Sequence, residues 1–307
     1  MLPIKLELPD GFLHEEVRCG YTVSAEMKKL WAVELDLLAE FDRVCKKHGL
    51  TYFAFGGTLL GAVRHQGFIP WDDDIDVVMF REDYRRLTQI AAEEFRHPYF
   101  FQTPFTDCGL VMGGSRLRNS NTTVSNDVEA RRPYKNKGIF LDIFVLDNVP
   151  DSDAALKRLK SQLKIYWRLL RYAAYYDCYF EPGKTYGAKR LLAGKIALAL
   201  KRLFGVEKLS RGYEKRCARY AERNTERIGP LEFSRGKDVY PKSWYQGGIS
   251  YVPFEHVQIP IPDDYDHLLT ASFGDYMVMK RVPPVHRPFT FDAETPYSEF
   301  YGNKING

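Results

Sequence analysis

The chain lacks the marks of several protein classes. Its five cysteines (Cys19, Cys45, Cys108, Cys178, Cys217) are odd in number, widely scattered and never spaced C-x-x-C. That argues against a disulfide framework and a cysteine zinc site, and predicts isolated thiols in a reducing cytosol. No run reaches the roughly 18 uncharged apolar residues of a membrane span. The nearest, Leu191 to Leu200, is short and contains Lys195. The start, MLPIKLELPD, has no basic segment followed by an apolar one, so no signal peptide is read. Net charge is only +4 and there is no base-stacking motif, which argues against nucleic acid as a partner. Internal repeats and low-complexity runs are missing as well. Together these absences predict a soluble cytoplasmic protein, in contact at most with the inner face of a membrane.

Ordinary apolar and charged fractions in a chain of 307 residues fit one large globular domain or two small ones. The stretch that organises it is Phe55 to Asp76, FGGTLLGAVRHQGFIPWDDDID. A glycine pair opens it, a short apolar segment follows, and four carboxylates in five positions close it. Adjacent carboxylates repel one another unless a cation or a basic partner offsets them, so packing alone does not account for this cluster. Leu50 to Phe55 reads as a short strand, and Ile75, Val77, Val78 and Met79 read as a second. Alternation along the second strand puts Asp74 and Asp76 on one face, about 7 Å apart, with Ile75 and Val77 turned into a core. That spacing suits one hard cation, Mg²⁺ or Mn²⁺. Gly56 and Gly57 fall at a strand-to-helix turn, where missing side chains let a phosphate approach backbone N–H groups. The arrangement reads as a metal-dependent phosphoryl-transfer site.

The stretch GTLLGAVRHQGFIPWDDDIDV resembles the signature of the LicD family of phosphotransferases. Further matches lie at Phe140-Leu141-Asp142-Ile143-Phe144 and from Pro260 to His286, so the resemblance spans roughly Met27 to Pro288. It implies an α/β (α+β) fold: a nucleotidyltransferase-like mixed sheet core with a helical insertion and a C-terminal extension. It also implies transfer of phosphocholine, or a related phospho-alcohol, from a CDP-activated donor to a hydroxyl of a cell-surface glycan. Teichoic acid, lipopolysaccharide or capsule, lipid-linked or free, would be the acceptor, and CMP would leave. On this resemblance Asp142 joins Asp74 and Asp76 at the metal, and Gly56, Gly57 and Thr58 hold the donor's phosphates. The C-terminal signature places Pro262, Asp263, Tyr265, Asp266, Gly274, Asp275 and Tyr276 before His286, a general base or phosphate contact.

Each of these residues also has a plainer reading. Asp142, in the middle of a buried strand, needs a partner, which Arg116 or another base can supply. Asp72 and Asp73 suit a turn that supports the metal ligands. Arg64 and His65 end a helix, where basic groups suit the dipole; they can equally face a phosphate. Trp71 either packs or offers its indole face to a cationic headgroup.

Around this core the sequence predicts an extended lead-in over residues 1–22, then a helix from Ser24 to Gly49 with an apolar stripe from Leu30 to Cys45. A helix from Arg81 and strands at Tyr99–Gln102 and Leu110–Leu117 follow, then a polar, basic loop up to Lys137. The most apolar strand starts at Gly138 and ends at Asp147, read as a cap. From Ala154 to Arg216 the chain is helical and basic, with 16 Lys/Arg against 4 Asp/Glu. That excess calls for open solvent or an anionic partner such as lipid headgroups or a glycan. A hairpin is read at Tyr251–Ile261. The expected units are a catalytic core at 1–150, a basic helical subdomain at 151–228, and a C-terminal segment at 229–307 that completes the core.

Three rivals share parts of this pattern. A nucleotidyltransferase moving a nucleoside monophosphate would use the same glycine pair and Asp-x-Asp. A glycosyltransferase can use an Asp-x-Asp metal site, after a longer nucleotide-binding half. A metal-binding scaffold without activity is the third, and the intact carboxylates argue against it.

Overall fold

The apolar stripe that begins at Leu30 folds as α1 (Ala25–His48). Ser24 caps it, its Oγ accepting from the Met27 N–H at 3.2 Å, and Gly49 ends it in the left-handed region at φ +60°. Leu30, Trp31, Leu37, Leu38, Phe41 and Val44 are buried, each stabilising the fold by about 1.5–3 kcal/mol. The structure, a computed structural model, describes residues 1–125, 130–132, 135–231, 238–281 and 290–305.

A small hairpin, β1 (Glu16–Arg18) and β2 (Tyr21–Val23), precedes α1. The main sheet has seven strands: β3 (Tyr52–Ala54), β4 (Asp76–Phe80), β5 (Tyr99–Gln102), β6 (Ser115–Asn119), β8 (Ile139–Val149), β9 (Arg227–Pro230) and β10 (Tyr240–Pro241). β7 (Thr123–Ser125) lies outside it. The long apolar β8 is its spine. One edge of β8 pairs in parallel with β4. The other edge pairs antiparallel with β6 through its first half and with β9 through its last. A single parallel pair inside an antiparallel sheet, flanked by helices, is the mixed α/β arrangement that the sequence predicts. Two helices frame β4: α2 (Gly56–His65) before it and α3 (Arg81–Glu94) after it.

Beyond β8 come α4 (Asp153–Ala174), a single turn α5 (Tyr176–Tyr179) and α6 (Ala188–Cys217). They enclose an apolar cluster of their own, with Leu156, Leu159, Leu163, Leu170, Ala197 and Tyr213. The chain then returns to the sheet through β9. A second hairpin, β11 (Ile249–Phe254) with β12 (Val257–Pro262), packs beside β3 and α2, and α7 (Tyr265–Phe273) packs on α2. β13 (Thr290–Asp292) pairs with β7, and α8 (Tyr297–Ile305) closes the described chain.

Two local expectations change. The strand read from Leu110 begins only at Ser115, because the Val111 N–H goes to the Tyr175 hydroxyl at 2.7 Å instead of to a ladder. Asp147 is no cap. It lies inside β8, 2% exposed, and takes two bonds from the Arg81 guanidinium at 2.8 and 2.7 Å.

Candidate active site

The register of the central strands builds the site. Asp76, the first residue of β4, is paired with Asp142 of β8, and Asp142 is paired across its other edge with Arg116 of β6. Residues in register on adjacent strands share a face, so these three side chains form one row across the sheet. Arg116 Nε donates to Asp142 Oδ1 at 2.7 Å and Nη2 to Oδ2 at 3.4 Å, while the guanidinium lies 3.9 Å from the centre of the Phe140 ring. Both readings of Asp142 therefore meet at one residue: it has its basic partner, and it stands beside Asp76.

The backbone of Asp76 is held on both sides of the glycine pair. Its N–H donates to Thr58 Oγ1 at 2.8 Å, and its carbonyl accepts from the Phe55 N–H at 3.0 Å. Thr58 is itself buried, so its oxygen anchors the start of β4. Gly56 has φ +55°, and a Cβ there would stand 3.8 Å from Asp76 Oδ2. A Cβ on Gly57 would meet Asp72 Oδ2 at 2.7 Å, too close to accept. The glycines thus let carboxylates close over the first turn of α2, the place where the sequence expects phosphate.

Asp74 differs from its expected place. β4 starts at Asp76, and residues 72–75 precede it without regular structure. Asp74 is grouped instead with Asp72 and Asp73, and the three offer carboxylate oxygens that all lie within 4.8 Å of one another. Trp31 of α1 fixes this loop from below, its Nε1 donating to the Asp72 carbonyl at 3.0 Å. Asp72 and Asp73, read as supports, belong to the cluster as fully as Asp74 does.

A sixth carboxylate was missed in the sequence. Glu34 lies one helical turn after Trp31 on α1, is 2% exposed, and its Oε2 has no hydrogen-bond partner. Burial, then Asp74, Asp73, Asp72 and Asp76, push its pKa well above the usual carboxylate range. Asp36, two residues on, is the contrast. It too is buried, but it accepts from the Lys5 and Leu6 N–H groups and the Tyr99 hydroxyl, which makes it structural. The signal for Glu34 was its position, a charge between Leu30 and Leu38 on the buried stripe. Asp76 is raised in the same way, by burial and then Asp74, Asp142 and Asp72, with Arg116 opposing.

The other expected site residues are placed apart from this cluster or differently used. Arg64 and His65 end α2, roughly 12 Å along its axis from the glycine pair at about 1.5 Å per residue. Arg64 donates to the Tyr276 carbonyl at 2.7 Å and to His65 Nε2 at 3.0 Å. Burial, then Arg64 and Arg18, lower the pKa of His65, which favours its neutral form. Trp71 packs edge-on against Tyr21 at 6.0 Å between ring centres, and Arg281 lies over that same tyrosine. Within the C-terminal signature, the Tyr276 hydroxyl donates to Asp266 at 2.7 Å. His286 lies outside the described residues.

The donor set suits a hard divalent cation. Six carboxylates (Glu34, Asp72, Asp73, Asp74, Asp76 and Asp142) converge, two of them with raised pKa and one with an orphaned buried oxygen. Oxygen-only sites of this kind take Mg²⁺, Mn²⁺ or Ca²⁺.

Part or most of the chain is similar to several known proteins. Residues 49–148 match the LicD/FKTN/FKRP nucleotidyltransferase domain. The lipopolysaccharide cholinephosphotransferase LicD of Haemophilus influenzae is 29% identical over 268 residues, 84% of this chain and 94% of its own. The uncharacterized protein RP689 of Rickettsia prowazekii is 32% identical over 115 residues, 38% of this chain and 39% of its own. The ribitol 5-phosphate transferase FKRP of Homo sapiens is 41% identical over 51 residues, 17% of this chain and 10% of its own. The matched domain contains the glycine pair and every aspartate of the cluster, and the bacterial enzyme aligns along most of its length: residues 49–148 are a LicD-type nucleotidyltransferase domain, in a chain similar throughout most of its length to a LicD phosphotransferase.

Proposed function

We propose that this chain transfers a phospho-alcohol, phosphocholine or a close relative of it, from a CDP-activated donor to a hydroxyl of a cell-surface glycan. The observation that carries this reading is the row of Asp76 and Asp142 next to the Asp72–Asp74 loop, at the start of the helix that Gly56 opens. Two relatives support the type of reaction: one is a cholinephosphotransferase and the other a ribitol 5-phosphate transferase. The acceptor class follows the first of them, which acts on lipopolysaccharide.

Asp72, Asp73, Asp74 and Asp76 would hold the cation, with Asp142 and Glu34 adjoining. When bound, Mg²⁺ or Mn²⁺ supplies neutralising charge for the donor diphosphate and for the departing CMP. The first turn of α2 leaves backbone N–H groups without intrahelical partners, and these receive the donor's phosphates. The acceptor hydroxyl oxygen attacks the distal phosphorus and forms a new O–P bond. The bond from that phosphorus to the bridging oxygen breaks, and the bridging oxygen leaves with CMP. Asp142, oriented by Arg116 chiefly through Oδ1, takes the hydroxyl proton on Oδ2.

The test offers CDP-choline, CDP-ethanolamine, CDP-ribitol and CDP-glycerol to the chain together with a glycan acceptor, with Mg²⁺ or with a chelator. The expected result is metal-dependent CMP release and a headgroup on the glycan, for one donor well above the others. Pyrophosphate release from a nucleoside triphosphate, or UDP release from a UDP-sugar, in place of CMP would move the chain to nucleotidyl or glycosyl transfer.

A further inference from the structure

The first half of α6 is built inside out. Between Ala188 and Val206 there are five basic residues (Lys189, Arg190, Lys195, Lys201, Arg202) and no acidic one. Its packing face is made of small residues: Gly194 and Ala197 are buried, with the Phe180 ring seated on Gly194. The large apolar side chains are left outside this packing face. Leu191, Leu192, Ile196, Leu203 and Phe204 are all exposed, Leu192 by 61% and Leu203 by 74%. Leu192, Ile196, Ala199 and Leu203 stand at i, i+4, i+7 and i+11, which is a single stripe along the helix. Lys195 and Arg202 flank the stripe on one side and Lys189 on the other.

At Gly205 the backbone leaves the helical region, with φ 73°, and the helix breaks. Leu203 and Phe204 stand at that corner. Phe204 also lines an apolar groove of about 290 Å³ with Tyr166, Leu169, Leu200 and Lys208, between α4 and α6. A soluble surface gains nothing from such a stripe, and exposed apolar patches mark contact sites. No helix among the described residues is long and apolar enough to cross a membrane, so the stripe suits a helix lying in the interface plane.

We propose that this face docks on an anionic bilayer, with Leu192, Ile196 and Leu203 inserted at the headgroup level and the flanking lysines and arginines on lipid phosphates. Charge selects this occupant over a second copy of the chain. Two copies joined through the stripe would set Lys189, Lys195 and Arg202 against their own kind, whereas anionic headgroups complement them. The inference goes beyond the transferase reading and stands or falls separately from it, because its readout is binding alone.

The full chain is floated with vesicles of phosphatidylcholine alone and of phosphatidylcholine mixed with phosphatidylglycerol, at low and raised salt. It should float with the mixed vesicles, weakly or not at all with the zwitterionic ones, and less at raised salt. Two double variants, L192S/L203S and K195Q/R202Q, should each lower binding about tenfold or more without moving the thermal midpoint, since all four side chains are exposed. Flotation that ignores lipid charge, or that either variant leaves unchanged, overturns the proposal. So does the absence of flotation, and so does a dimer in light scattering that L192S/L203S dissolves.

Discussion

Asp76 and Asp142 are in-register neighbours on the one parallel strand pair that the main sheet has among the described residues. Two carboxylates at adjacent positions on one face repel unless a positive charge stands between or beside them. Arg116 meets this need for Asp142 at 2.7 Å. At Asp76 burial and three aspartates outweigh the same arginine, and its pKa is raised. The fold therefore contains an unmet demand for positive charge at the N-terminal edge of β4, beside the glycine pair.

Removing that demand should separate stability from activity. Asp76→Asn keeps the shape of the side chain and deletes its charge. Turnover of a CDP-alcohol should fall more than about a hundredfold, beyond the 10–100-fold typical of groups that merely support a ligand. Urea unfolding should show stability equal to or above that of the parent. Near-parental turnover would remove Asp76 from the site.

The same electrostatics set a pH dependence. Glu34 and Asp76 have folded pKa values raised above their unfolded ones. Groups of this kind contribute stability that is full below the unfolded carboxylate pKa and is lost as pH rises through the folded one. The metal-free protein should melt at a higher temperature near pH 5 than near pH 8 in these terms, and Mg²⁺ should restore the loss at the higher pH. Melting curves at the two pH values, with Mg²⁺ and with chelator, check both signs. A midpoint that rises with pH in chelator, or that Mg²⁺ leaves unmoved at pH 8, would count against a cation at this cluster.

Glu34 itself can be probed by shape. Glu34→Gln is neutral and nearly isosteric, so the metal-free fold should be unaffected near pH 5 and stabilised near pH 8. Its Mg²⁺ affinity, read by calorimetry, should drop about 10–100-fold if the carboxylate supports the cation. Unchanged affinity would reduce Glu34 to a buried acid with no part in the site.

The legible part of this molecule was local. Ser24, the stripe from Leu30 to Cys45 and Gly49 announced α1 because cap and stripe are read within one helix. The glycine pair and the aspartate cluster were legible because they are 22 residues of continuous chain, Phe55 to Asp76. What failed depended on distant partners. Alternation put Asp74 on the strand with Asp76, but Trp31 holds the Asp72 carbonyl off the sheet from 41 residues away. Glu34 is one more charge on a helix in the sequence, and only the Asp72–Asp76 segment folded beside it makes it part of the cluster. Asp147 read as a cap because its partner, Arg81, is 66 residues earlier. The lead-in expected over residues 1–22 is extended in part but closes as a hairpin at Glu16–Val23, turning at Cys19-Gly20, both with positive φ.

Gly57 offers a test of the site's tightness that does not touch a charge. A Cβ there would come within 2.7 Å of Asp72 Oδ2. In Gly57→Ala the Asp72 carboxylate has to move, while φ at this position carries no penalty for alanine. Stability should change by less than about 1 kcal/mol, since alanine favours a helix over glycine by a similar amount. Turnover should nonetheless fall at least about tenfold, because displacing a binding group by 1 Å is costly. Equal activity would show that Asp72 can swing aside without cost.

The buried Arg81–Asp147 pair makes the opposite case, a strong interaction with no reason to affect chemistry. Arg81 is 6% exposed and Asp147 2%, and two bonds join them at 2.7 and 2.8 Å. Burial alone would lower the Arg81 pKa; Asp147 more than reverses this and raises it. Asp147→Ala leaves the buried guanidinium with only its longer contact to the half-exposed Glu214 at 3.5 Å and should cost about 3 kcal/mol in urea unfolding. The double variant Arg81→Met, Asp147→Leu removes both charges and should recover most of that loss, because desolvating an ion pair consumes most of what its attraction returns. Both variants should keep turnover at temperatures where they remain folded. Loss of turnover in a folded double variant would mean that β8 transmits this pair's position to Asp142, five residues earlier on the same strand.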